Sequence, residues 1–195
     1  MDKSILLCGV GGQGTVLASK LIAAAFMQAG EVVHSAETIG MAQRGGSVTS
    51  HVRIGESAFS PLIPSKTADL ILAFEPAEAV RNLPLLKENG AVIANSVPVK
   101  PVNDLNYNGA EAVDYLKKKV KNAIIVDAEE LCREFGSSKF FNIAILGVAC
   151  GAKKLGLSRE QILGEIEKRV PKKYLEQNIA AFQKGEQIGE NYAAE

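Results

Sequence analysis

Tryptophan is absent from the sequence, and there are only three cysteines, Cys8, Cys132 and Cys150. None of the three stands in a CxxC or other ligand-like spacing, so this chain is not expected to hold a metal ion or cluster by itself. Each lies in an apolar run, the setting of a buried, reduced thiol in a cytoplasmic protein. An excess of one charge is also missing, since 22 Lys and Arg balance 22 Asp and Glu. Without a basic stripe, no nucleic-acid partner is expected. Apolar runs such as ADLILAF and FFNIAILGVAC are too short to span a bilayer, so no membrane is expected either. The first strand is read as beginning almost at once, so no signal peptide is expected. The signatures GxSxG, GxxxxGK[ST] and HExxH do not occur. His34 and His51 lack a partner that would make either catalytic, and both are expected at the surface or against another chain. Repeats and Pro-, Gly- or Ser-rich linkers are absent, so residues 1–195 are expected to form a single domain.

What is present is a regular alternation of short apolar runs and helical patterns. Ser4–Cys8 reads as a buried strand that ends in glycines, and Thr15–Ala29 as a helix stopped by Gly30. Glu31–Ala36 follows as a second strand, which completes a βαβ unit. Ser47–Ile54 alternates, with Val48, Ser50, Val52 and Ile54 on one face, as a half-exposed strand at a sheet edge or in a hairpin with the segment near Ala58 and Phe59. Ala68–Phe74, Ala91–Asn95 and Ala123–Val126 read as further buried strands. Helices are expected from Glu75-Pro76 toward Leu83, over Ala110–Val120, from Asp127 to Phe135, over Phe140–Leu155, after Ser158, and over Pro171–Gln183. Ser158 with Gln161 forms an S-x-x-Q capping box. In the last helix Tyr174, Leu175, Ile179 and Phe182 lie on one stripe, which reads as core. The fold class is therefore α/β: a Rossmann-like three-layer fold with a mostly parallel sheet flanked by helices.

Two constellations carry chemistry. Gly9-x-Gly11-x-x-Gly14, with Gly12 and Gln13 inside it, matches the dinucleotide fingerprint in letters and in its strand–turn–helix context. Such glycines allow a tight turn, close approach to a phosphate, and close helix–strand packing. Glu37 stands where an acid for a ribose would be required. Phosphate binding and pure close packing both remain open from the pattern. Gln13 adds a side-chain amide that can bond a ligand or a partner. The second constellation is MAQRGGSVTSHVR. Arg44 between Gln43 and Gly45 suits a bidentate grip on carboxylate or phosphate, against the alternative of a solvated loop arginine. In a doubly wound sheet both loops open on one carboxyl edge and can line one crevice.

The blocks GVGGQGTVLASKLIAAA, ETIGMAQRGGSVTSHVRIG and SPLIPSKTADLILAFEPAEAVR together resemble the gamma subunit or domain of 2-oxoacid:ferredoxin oxidoreductases. The second and third look most like the small, beta, subunit of the indolepyruvate-specific members. The resemblance is dense over residues 5–81 and thins after Asn95. It implies a subunit, inactive alone, of an enzyme that oxidatively decarboxylates a 2-oxoacid, such as an aryl pyruvate, with coenzyme A as co-substrate. The products would be an acyl-CoA, carbon dioxide and reduced ferredoxin. Thiamine diphosphate and iron–sulfur clusters would sit on partner subunits, and ferredoxin would be reached through the complex. Gly9, Gly11, Gly12, Gln13, Gly14, Gln43, Arg44 and Gly45 would then face a phosphate, the partner, or the shared site. Self-association of the isolated chain through its bare partner surface is also expected, and no catalytic residue is assigned to this chain. A stand-alone dinucleotide-binding or regulatory module is the alternative.

Overall fold

The glycine-punctuated apolar runs assemble into one six-stranded sheet, in a computed structural model that describes residues 2–40, 45–100 and 106–194. In chain order the elements are β1 (Lys3–Val10), α1 (Thr15–Gln28), β2 (Val33–Ile39), β3 (Ser47–Ile54), β4 (Ala68–Ala73) and α2 (Pro76–Asn82). They continue with β5 (Leu86–Asn95), α3 (Ala110–Lys119), β6 (Asn122–Val126), α4 (Ala128–Cys132), α5 (Phe141–Gly151), α6 (Arg159–Arg169) and α7 (Leu175–Ala194). The sheet order is β2-β3-β1-β4-β5-β6. β1, β4, β5 and β6 are parallel, while β3 runs antiparallel to both of its neighbours. The α/β, mostly parallel architecture expected from the sequence is the one observed.

The parallel strands are apolar on both faces because both are covered. Ile5, Leu7, Leu70, Leu72 and Ile93 pack with residues of α1 and α4 to α7. Leu6, Cys8, Ile71, Val92 and Ala94 pack on the other side with Ala79 of α2 and Leu116 of α3.

Three expectations need correction. β2 follows α1 in the direction of β1 but does not lie beside it, because β3 folds back as a hairpin and takes the slot between them. The unit is a split βαβ. β3 is therefore an interior strand, not an edge or half of a hairpin with the Phe59 segment. Its predicted face, Val48, Ser50, Val52 and Ile54, is indeed buried. His51, on the other face, is buried too: its Nδ1 accepts the Ile63 amide at 3.2 Å, and burial holds its pKa below the ordinary value. It is a satisfied core histidine rather than a surface one.

Local signals set several helix ends. Ser158 and Gln161 form the reciprocal capping box, and the Asp127 carboxylate accepts the Glu130 amide at 2.8 Å. The helix expected over Phe140–Leu155 is shorter, ending at Gly151, and the last helix is longer, running to Ala194. The extension carries Gly185 and Gly189, poor helix formers that α5 keeps in place by backbone contact. A Cβ on Gly185 would stand 2.0 Å from the Ala144 carbonyl oxygen, and one on Gly147 2.0 Å from that of Phe182. Of the predicted stripe Phe182 is buried, while Tyr174 precedes the helix and is exposed.

Candidate functional site

The crossover from β1 leaves toward β2 and that from β4 leaves toward β5, so the sheet has its topological switch between β1 and β4. Ligand crevices in open α/β sheets form at this point, outside the carboxyl ends of the strands. A cleft of about 250 Å³ lies there. Its walls include Gly12 and Gln13 after β1, Phe74 after β4, Asn95 at the end of β5 and Val97 beyond it, and Glu129, Ser138 and Lys139 beyond β6. A second, more apolar cleft of about 280 Å³ lies on the other side of the glycine turn, against Val10, Val16, Ile39 and Val48. Gly12 lines both.

The glycines divide their work. A Cβ on Gly9 would stand 2.6 Å from Gln13 Oε1 and 2.9 Å from Phe74 Cβ, so this position serves internal packing. Gly14 caps α1 in the left-handed region, φ 82°, and a Cβ there would meet Asn142 of α5 at 2.5 Å. Gly12 has φ 100° and nothing within 4 Å of where its Cβ would lie, so it alone of these three faces open space. The Gly11 amide donates to the Gly46 carbonyl at 2.9 Å. That bond joins the first glycine loop to the hairpin loop, as two loops on one carboxyl edge should be joined. Gly45 sits exposed beside it with φ 78°. Gln43 and Arg44 lie outside the described residues.

Gln13 is engaged at both ends of its amide. Oε1 accepts the Val10 amide at 2.8 Å, and Nε2 donates to the Phe74 carbonyl at 2.9 Å. The side chain thus ties the ends of β1 and β4 together beneath the cleft. Asn95 does the same for β4, β5 and β6. Its Nδ2 donates to the carbonyls of Phe74 and Val97, and its Oδ1 accepts the amides of Val97 and Ala128. A buried amide with this many partners is a fixed floor, since each backbone group it meets would otherwise be left unpaired.

The sequence reading missed a second pair of pins. Glu75 and Glu78, both buried, open α2. Glu75 accepts the Glu78 amide at 3.0 Å through one carboxylate oxygen and the Tyr107 hydroxyl at 2.6 Å through the other. Burial and the Glu75 carboxylate push the Tyr107 phenol well above its ordinary pKa. Glu78 accepts the Ser47 hydroxyl at 2.6 Å and Arg81 Nε at 3.1 Å. The two carboxylates therefore anchor the end of the hairpin loop and the end of the long excursion after β5. Burial, with the same two carboxylates adding, also raises the Cys8 thiol, which stays protonated. The glutamate spacing in FEPAE was visible, but nothing local pointed to the remote hydroxyls that each glutamate meets.

The dinucleotide reading loses its second requirement. Glu37 is exposed on β2, two strands from β1, or about 9 to 10 Å away at the usual strand spacing. Among the described residues no group of three or more His, Cys, Asp or Glu could hold a metal, and the three thiols are free. The donor set of the described residues does not fit an iron–sulfur cluster. No helix among the described residues is long and apolar enough to cross a membrane.

Comparison with known proteins agrees with this architecture. The family model described as pyruvate ferredoxin/flavodoxin oxidoreductase matches residues 4–188. The chain is 37% identical over 190 residues to the indolepyruvate oxidoreductase subunit IorB of Thermococcus kodakarensis, with 94% of each chain covered. It is 32% identical over 159 residues to the pyruvate/ketoisovalerate oxidoreductases common subunit gamma of Pyrococcus furiosus, covering 80% of each. The fold matches the crystal structure of a keto/oxoacid ferredoxin oxidoreductase gamma subunit from Geobacter sulfurreducens with a TM-score of 0.71, at 23% identity, over 97% of this chain and 99% of that one. On the matched span and these relatives, the chain belongs to the pyruvate ferredoxin/flavodoxin oxidoreductase family and is a subunit of an oxidoreductase of that kind.

Proposed function

We propose that this chain is the non-thiamine-binding subunit of an enzyme that oxidatively decarboxylates an aryl pyruvate, indolepyruvate being the leading candidate. The acyl group passes to coenzyme A, and electrons pass to ferredoxin. The observation that carries this reading is the 37% identity, over nearly the whole length of both chains, to an indolepyruvate oxidoreductase subunit. Thiamine diphosphate and iron–sulfur clusters belong to partner subunits on this view, consistent with the scattered thiols here. Bound thiamine diphosphate supplies the carbanion chemistry in the partner. This chain contributes a preorganised wall: Gln13 and Asn95 hold the strand ends, and Glu78 holds Ser47 at the foot of the hairpin loop. On this reading Gly12 and Gly45 face the partner and the coenzyme A side of the shared site, and Gln43 and Arg44 are assigned to the same side from their place in the sequence motif.

The test is anaerobic co-expression with the candidate thiamine-binding subunit. Ferredoxin reduction is then measured with indolepyruvate, pyruvate and 2-oxoglutarate, with and without coenzyme A. The reading expects a stoichiometric complex whose reduction of ferredoxin requires both chains and coenzyme A and is fastest with indolepyruvate. Full activity of the partner without this chain would overturn it. A preference for another oxoacid would overturn the substrate assignment alone.

A further inference from the structure

We propose that β2 is a self-pairing edge, through which two copies of this chain join over Val33–Ile39 in one antiparallel register centred on Ala36. This inference is independent of the substrate reading above. β2 is seven residues long, regular in register over all seven pairs with β3, and stands at the end of the sheet. Edge strands are ordinarily blunted by proline, lysine, a bulge or extreme shortness, because bare ladder groups recruit other strands. VHSAETI has none of these, its one acidic residue is Glu37 within the strand, and Ile39 at its end is 63% exposed. The opposite edge, β6, is protected: it has five residues and is flanked by Lys121 and Asp127.

The ladder shows which groups are available. The Gly55 amide donates to the Val32 carbonyl, and the Gly40 amide to the Ser47 carbonyl, both at 2.9 Å. Antiparallel ladders alternate, so even-numbered residues of β2 bond inward to β3. Val33, Ser35, Glu37 and Ile39 direct their amides and carbonyls outward. A two-fold axis normal to the sheet pairs identical strands only about a residue, and the three central residues give the longest overlaps of Val33–Ile39. About Glu37, two carboxylates face each other, which is destabilising. About Ser35, Val33 faces Glu37 and Ile39 faces Glu31. About Ala36, Val33 meets Ile39, His34 meets Thr38 and Ser35 meets Glu37. Apolar meets apolar, hydroxyl meets carboxylate, and every outward-facing group finds an outward-facing partner. The charge pattern therefore selects both the occupant, a second copy, and the register.

Sedimentation equilibrium of the full chain tests this, with Ser35→Glu and Ser35→Lys compared with the parent. Residue 35 is exposed, and circular dichroism checks that each variant is folded. The parent is expected to dimerise. Ser35→Glu, which places four carboxylates around the axis, should weaken the dimer about tenfold, and Ser35→Lys, facing Glu37 twice, should tighten it. Ala36→Cys should give a reducible covalent dimer on mild oxidation, because residue 36 faces itself across a close pair; His34→Cys should not. A parent that stays monomeric at its highest soluble concentration would overturn the proposal, as would Glu and Lys at position 35 acting alike. Assembled oxidoreductase in which Ala36→Cys is shielded but never self-linked would assign the edge to another subunit, and that also overturns it.

Discussion

At the scale of single residues, the glycine loop shows how one motif contains opposite demands. Gly14 and Gly12 both have positive φ, which disfavours any side chain by about 1 to 2 kcal/mol. Only Gly14 is also hemmed in, by Asn142. Urea denaturation should therefore find Gly14→Ala destabilised by about 3 kcal/mol, strain and overpacking together, and Gly12→Ala by about 1. Equal losses would show that Gly12 is not open. Ser50 gives the reverse case. Its hydroxyl is fully buried and has no hydrogen-bond partner among the described residues. Ser50→Ala should leave stability unchanged or raise it by about 1 kcal/mol, and a clear loss would reveal a partner for that hydroxyl. Gln13 and the first glycines were legible in the sequence because strand, turn and helix are contiguous. What Gln13 bonds was not, since Phe74 lies 61 residues away and no local pattern names it.

At the scale of elements, α5 and α7 meet through two pairs of glycines four residues apart, Gly147 with Gly151 and Gly185 with Gly189. Side chains are replaced there by carbonyl-to-backbone contact, so even a methyl group has no space. Gly147→Ala should cost about 3 kcal/mol or more and loosen the C-terminal helix; faster amide exchange in α7 is the readout. Unchanged exchange would mean the helices part cheaply. The spacing of four was present in the sequence, but α7 was expected to stop at Gln183. Two glycines in a row of turns argue against a helix until the partner that requires them is known. On α6, buried Glu165 accepts Lys168 Nζ at 2.8 Å and Arg169 Nε at 2.9 Å. Its carboxyl pKa is lowered, chiefly by the bond from Lys168. A lowered folded pKa contributes stability that is present above the ordinary value and lost as pH falls through the folded one. Glu165→Gln should thus lower stability at neutral pH and flatten its decline in acid, and parallel acid curves for the two proteins would exclude this role.

At the scale of the whole molecule, the hairpin insertion matters most. By placing β3 between β1 and β2 it removes Glu37 from the reach of the glycine turn and brings Gly46 within a hydrogen bond of Gly11. The same insertion joins the dinucleotide-like turn to the foot of β3, so the two loops meet through the Gly11–Gly46 bond. Arg44→Ala should leave the melting temperature of the chain unchanged and slow oxoacid-dependent ferredoxin reduction by the assembled enzyme about tenfold or more, the usual order for loss of a charged grip. Unchanged kcat and KM in the reconstituted complex would remove Arg44 from the site. The same insertion makes β2 an edge, and so places VHSAETI where another strand can reach it.

The sequence by itself determined the α/β class, the alternation of strands and helices, the Ser158 cap, the glycine turn at the head of α1, and the family. These depend on contiguous residues: apolar period, capping chemistry and turn geometry act within a few positions, and a motif is matched in order along the chain. Tertiary structure alone decided that β3 lies between β1 and β2, that His51 is buried, that Glu75 and Glu78 hold distant hydroxyls, and that α7 continues through two glycines. Each of these is a choice of partner across tens of residues. It is fixed by which surfaces bury most area and leave fewest polar groups unpaired, and that competition is held among surfaces that exist only once the chain has folded.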